Sequence, residues 1–129
     1  MDKKTVKSFS IIKRKESLGH ALRGMWLFLR TQHNAWLHVA STVFIVGLGI
    51  AYKISHIEWM VLAIVIGIVF IAEAFNTAIE IDIDLTSPEY HPYAKDTKDV
   101  AAGAVLLSAI LAFSVGLIIF LPKILAHVR

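Results

Sequence analysis

The chain has 129 residues, 57% of them hydrophobic and only 18% charged, with a mean hydropathy of +0.66. That length suits one domain, and that apolarity excludes an ordinary soluble one. There is no cysteine, which excludes disulfides and thiolate metal sites. The formal charge of +3 has no basic stripe with interleaved exposed aromatics behind it, so a nucleic-acid partner explains it poorly.

Residues 1–8 are expected to be disordered. From about 9 to 30 the pattern turns amphipathic. Leu18, Ala21, Leu22, Met25, Phe28 and Leu29 recur at helical spacing, with Arg23 and Arg30 off that stripe and Lys15 at its edge. Such a helix is expected to lie in the membrane interface, apolar side down. The alternative is a helix packed on its own protein. This segment is basic and has no continuous apolar core, so no signal peptide is read and the N-terminus is expected to be kept.

Three apolar stretches follow: Ala35–Tyr52, Trp59–Ile79 and Val100–Leu121. Each is near the ~20 residues that cross a bilayer. Spanning helices are predicted over 34–52, 59–85 and 97–121. Ser87-Pro88 ends the second, and His91-Pro92 keeps the loop irregular. Asp96 or Thr97 is read as the cap of the third. That helix opens on Val100-Ala101-Ala102-Gly103-Ala104, a small-sided run that lets membrane helices approach closely. Eight of the thirteen Lys and Arg residues occur by position 30, which puts the N-terminus in the cytoplasm. The Lys53–Glu58 link then lies outside, the acidic loop with Lys95 and Lys98 returns to the cytoplasm, and Lys123 and Arg129 end outside. The expectation is an all-α, multi-pass protein of the cytoplasmic (inner) membrane, with an N-terminal interfacial amphipathic helix plus three transmembrane helices. Three spans make a thin bundle, so a homo-oligomer is expected to enclose any polar site.

Such a site is written into the second span. Seven of the ten acidic residues lie between positions 73 and 99. At about 100° per residue, Glu73, Asn76, Thr77, Glu80 and Asp84 share one helical face. Glu73 lies deepest, and an ionisable group at that depth costs ~2.5–3.5 kcal/mol on insertion scales, so function is its default reading. A buried carboxylate has a raised pKa and makes a better base. Shallower carboxylates can hold Mg²⁺, which takes oxygen ligands and bridges phosphates. Lys98 and Asp99 open the third span and can meet this face, where a lysine neutralises phosphate charge. The bland alternative is a polar seam, with Glu73 bonded to Asn76 or a neighbouring helix and Lys98 paired with Glu80 or Asp84. The six histidines show no zinc-ligand spacing, and His38, four residues from Asn34, reads as polar packing. No Walker A run, Rossmann glycine pattern or nucleophile elbow is present.

Glu-Ala-Phe-Asn-Thr-Ala-Ile-Glu at 73–80 resembles the signature of the small prokaryotic diacylglycerol kinase family, which includes undecaprenol kinases. Ser87-Pro88-Glu89-Tyr90-His91-Pro92 and Ala94-Lys95-Asp96-Thr97-Lys98-Asp99 are similar to its following loop, and Ala101-Ala102-Gly103-Ala104-Val105 to its third span. Ser17, Ala21, Gly24 and Trp26, then Asn34 and His38, fit a weaker N-terminal pattern. The resemblance covers about residues 9–125 and is specific from 73 to 105. It implies a homotrimer that transfers the γ-phosphoryl of ATP to a lipid hydroxyl. Glu73 would be the base that meets the lipid, Asn76 would help position the reacting groups, and Glu80 would bind Mg²⁺. Glu89, Tyr90, His91, Lys98 and Asp99 would contact ATP, with Ser17 a weaker candidate. One departure is clear: the family usually carries a second metal-binding glutamate where this chain has Gln32. Glutamine ligates through its carbonyl but brings no negative charge. Val115–Lys123 resembles the C-terminal end of the undecaprenol branch, with diacylglycerol the close alternative substrate. A second class stays open, a non-enzymatic membrane subunit that uses the acidic face for ion binding or assembly.

Overall fold

The computed structural model describes residues 11–128. The expected disorder of 1–8 lies outside them. The described residues form four helices: α1 (Ile11–Thr31), α2 (His33–Ala51), α3 (His56–Thr86) and α4 (Pro92–Val128). The last three are long and apolar enough to cross a membrane. At most 22% of the most apolar window of any of them is buried within the chain. Side chains such as Phe44, Phe75, Phe113 and Ile118 stay exposed. A helix satisfies its own backbone hydrogen bonds, which is what lipid demands, so these bare apolar faces are suited to a bilayer rather than to water.

α3 and α4 form an antiparallel hairpin that carries most of the interhelical packing, and α1 and α2 join it more lightly. A small core lies at the α2–α3 link end, where Ile54, Leu62, Ile119 and Phe120 bury one another. The link is tightly specified. The Lys53 N–H donates to the Ile50 carbonyl and the Ile54 N–H to the Gly49 carbonyl, a Schellman closure of α2 with Lys53 in the left-handed region at φ 48°. A Cβ on Gly49 would stand 2.6 Å from the Trp59 ring, so glycine there permits the close approach of α2 to the start of α3. Ser55 caps α3 reciprocally with Glu58: the Ser55 N–H donates to Glu58 Oε2 at 2.7 Å and the Glu58 N–H to Ser55 Oγ at 3.3 Å.

The Lys123 ammonium reaches Glu58 at 2.9 Å and ties the far end of α4 to this cap. The backbone N–H of Ser55, then Lys123, hold the Glu58 carboxyl down to about 2, from an ordinary value of 4.5. Glu58 precedes the apolar span. A depressed acid contributes stability that is present above its unfolded pKa and lost as pH falls through the folded one. Glu58→Gln is therefore expected to lower the melting temperature at neutral pH. The gap to the wild type should hold down to about pH 4.5 and close towards pH 2. Melts in detergent across that range check it.

Two boundaries differ from the sequence expectation. α4 begins at Pro92, not near Asp96 or Thr97. The Lys95 N–H donates to the His91 carbonyl, and proline at the first helical position gives up only an N–H that had no partner there. α4 also runs through Pro122 to Val128 instead of stopping at 121. Pro122 removes one backbone bond, but contacts beyond it hold the turn: Lys123 on Glu58 and the His127 ring edge-on to Tyr52 at 6.3 Å. α3 ends at Thr86, where Ser87 closes on the Ile83 carbonyl and Pro88 follows. Between α1 and α2 only Gln32 leaves the helical region, at φ −97°, ψ 112°.

Candidate active site

On α3 the side chains that share a face grade from buried to exposed. Glu73 is 2% exposed and Asn76 and Thr77 are buried, Glu80 is half-buried, and Asp84 is exposed. Thr77 Oγ1 donates to the Glu73 backbone carbonyl at 2.9 Å, which leaves the Glu73 carboxylate unused by that bond. One turn on, Asn76 Nδ2 donates to Glu80 Oε1 at 3.1 Å. Asn76 Oδ1 is buried and accepts no hydrogen bond. A buried acceptor without a donor is costly, roughly 1–3 kcal/mol, so this oxygen is a ready contact for a cation or a hydroxyl. Glu80 and Asn76 thus present hard oxygens of the kind small divalent cations take. Among the described residues, no three His, Asp or Glu side chains gather into a complete ligand set.

A turn above Glu80, Asp84 accepts from the Lys98 ammonium of α4 at 2.7 Å. This ion pair joins the polar face to an open polar cavity of about 460 Å³ at the α3–α4 loop. Glu89, Tyr90, His91, Lys98 and Asp99 all line it, beside Asp84. The loop therefore gathers the five residues expected at one nucleotide site. His91 stacks at a tilt on Tyr93, ring centroids 5.7 Å apart. From Glu73 to Asp84 the face climbs about 16 Å at 1.5 Å per residue, a continuous polar track from inside the apolar span to a water-facing hollow.

The other two expected residues lie on α1 and at the α1–α2 joint. Ser17 lies on α1, where its hydroxyl donates to the Lys13 carbonyl at 2.9 Å. Gln32 occupies the α1–α2 joint, half-buried, and its side chain caps nothing. Neither has a hydrogen bond to α3 among the described residues. The sequence reading also missed Lys95. It lines the cavity and pairs with Asp99. Its signal was available as an i,i+4 spacing, but the helix start placed near Asp96 left Lys95 in the loop.

The prokaryotic diacylglycerol kinase family model matches residues 19–120. The undecaprenol kinase of Bacillus subtilis is 43% identical over 109 residues, which cover 84% of this chain and 89% of that protein. The diacylglycerol kinase of a Synechocystis species is 39% identical over 111 residues, 85% of this chain and 63% of that protein. The diacylglycerol kinase of Helicobacter pylori is 36% identical over 56 residues, 43% of this chain and 44% of that protein. The matched length takes in α2, the whole polar face of α3 and the loop cavity, and on it the chain belongs to the prokaryotic diacylglycerol kinase family, a multi-pass membrane lipid kinase.

Proposed function

We propose that this lipid kinase transfers the γ-phosphoryl group of ATP to the hydroxyl of a membrane lipid, undecaprenol or diacylglycerol, at the cytoplasmic face of the inner membrane. The observation that carries the reading is the polar track on α3, with a buried acid at its foot and a polar cavity at its head. The lipid hydroxyl sits at Glu73. Its oxygen attacks the γ-phosphorus, the new O–P bond forms as the bond to the β–γ bridging oxygen breaks, and ADP leaves. The hydroxyl proton passes to the Glu73 carboxylate. Asn76 positions the reacting groups with its unpartnered Oδ1 and is itself held by Glu80. Glu89, Tyr90, His91, Lys98 and Asp99 hold the nucleotide, Lys98 facing its phosphates, with Ser17 reaching it from α1. Glu80 and Gln32 are the oxygen donors for Mg²⁺, which when bound would supply positive charge against the transferring phosphoryl group. There is little covalent chemistry for the protein in such a transfer, so holding and neutralising account for most of it.

α1 lies in the membrane interface. It buries no residue within the chain and leaves Leu18, Leu22, Met25 and Trp26 exposed, while Arg30 stacks over Trp26 at 4.9 Å, the mix an interfacial helix uses. The N-terminus is cytoplasmic by its positive charge. The assembly is a homotrimer, in which neighbouring copies cover the polar track that one thin bundle leaves open. Lipid-dependent ATP turnover by the purified protein tests the reading as a whole. Intact, folded protein with no such turnover would favour a non-enzymatic subunit.

Gln32 gives a sharper test of the metal shell. Gln32→Glu adds a charged oxygen, the ligand Mg²⁺ favours. Apparent Mg²⁺ affinity, read from activity and from equilibrium binding, is expected to rise. An unchanged or lower affinity in folded protein removes Gln32 from the shell.

A further inference from the structure

α3 and α4 are pinned to one another at three levels. Asp84 pairs with Lys98 near the loop, Leu62 shares the small core with Ile119 and Phe120, and Glu58 pairs with Lys123 at the far end. Both helices rise about 1.5 Å per residue, so in an antiparallel pair these pins set every level between them. Glu73 lies midway between Asp84 and Leu62, and Ser108 lies at the middle of the stretch from Lys98 to Ile119. The two residues therefore stand at one level of the hairpin. Both are buried, Glu73 at 2% exposure and Ser108 at 7%. α4 packs chiefly on α3, so α3 is what covers Ser108. The buried residues of α3, Leu62, Val65, Val69, Glu73 and Asn76, recur at the spacing of one seam. On α4, buried Ala101 and Ser108 recur one heptad apart.

Ser108 is the one buried polar side chain of α4 among the described residues, and the other three all belong to the polar face of α3. Neither partner at this level is committed to the other helix. The Glu73 carboxylate makes no hydrogen bond or ion pair among the described residues. Ser108 Oγ donates within its own helix, to the Val105 carbonyl at 2.7 Å. A helical carbonyl keeps its own backbone N–H partner when such a bond is given up, so the hydroxyl is free to turn.

Resting on the kinase reading above, we propose that the Ser108 hydroxyl turns to donate to one oxygen of the Glu73 carboxylate when the lipid hydroxyl arrives. The other carboxylate oxygen then takes the lipid proton as the lipid oxygen attacks phosphorus, and Ser108 keeps its own proton throughout. Ser108 is thus a positioning residue that acts through Glu73. A glutamate side chain turns about three bonds, and a general base must hold hydrogen-bond reach of the proton it takes. One bond from a packed neighbouring helix supplies that hold.

The test is Ser108→Ala, which removes the hydroxyl and little volume, assayed with ATP and with undecaprenol or diacylglycerol in detergent micelles. For the acceptor that the wild type uses, kcat is expected to fall about tenfold, the low end of what a hydrogen bond to a charged group supplies. KM for ATP and the melting temperature should stay in place. Ser108→Thr, which returns a hydroxyl, should recover most of kcat. In a Glu73→Gln background, Ser108→Ala should cost less than about twofold, because residues that act as a unit are not additive. A Ser108→Ala kcat within about twofold of an active wild type overturns the assignment and leaves the kinase reading intact. A tenfold loss that persists in Glu73→Gln overturns it too, as does a melting temperature that falls with kcat without rescue by threonine; either makes Ser108 a packing residue. A wild type that phosphorylates neither lipid overturns the kinase reading and this one with it.

Discussion

Glu73→Gln is expected to lower lipid phosphorylation roughly 10²–10⁴-fold, the loss that accompanies removal of a general base. The substitution is well suited to isolate chemistry from folding. Glutamine keeps the size of the side chain. The one side-chain hydrogen bond at this residue runs from the Thr77 hydroxyl to the Glu73 backbone carbonyl, which the substitution leaves alone. An amide is never ionised and so sits in an apolar span at lower cost than an acid, so the melting temperature should hold or rise. ATP binding should also hold, because the loop cavity lies about 16 Å up the helix at 1.5 Å per residue. Turnover of ATP with and without lipid, alongside nucleotide binding, reads all three. Activity within a few-fold of wild type would take Glu73 out of the proton path. A variant that loses nucleotide binding as well would make Glu73 a structural residue.

The face that carries Glu73 was legible because a helix repeats about every 100°, and spacing alone put Glu73, Asn76, Thr77, Glu80 and Asp84 together. The same periodicity carries the order of depth, and burial follows it from Glu73 to Asp84. The three spans were legible from apolarity. Their ends were less so. Pro92 reads as a loop residue until its place at the first turn of α4 is seen, and the helix beyond Pro122 depends on Glu58 and Tyr52, more than sixty residues earlier. Lys98 was left between Glu80 and Asp84 because the choice depends on how the loop from Ser87 to His91 sets α4 against α3.

Glu80 is where the metal and the amide of Asn76 meet, and two substitutions separate those roles. Glu80→Ala removes the carboxylate and leaves Asn76 Nδ2 without its acceptor. An unmade bond to a buried amide costs about 1–3 kcal/mol, so this variant should lose stability as well as function. Glu80→Gln keeps a carbonyl that can accept from Asn76 but gives up the negative charge. Both should weaken apparent Mg²⁺ affinity by at least about tenfold, the scale on which even the partners of metal ligands act, and only the alanine variant should melt measurably lower. ATP affinity should fall with Mg²⁺ affinity, since the nucleotide is held through the same charge, while lipid binding at the far end of the track should change little. Mg²⁺ titrations of activity, with equilibrium Mg²⁺ and nucleotide binding as readouts that need no turnover, decide the matter. Unchanged Mg²⁺ curves in both variants would leave Glu80 as a brace for Asn76 alone. Asn76 Oδ1, the one buried side-chain atom without a hydrogen-bond partner on this face, would then be the first place to look for the metal.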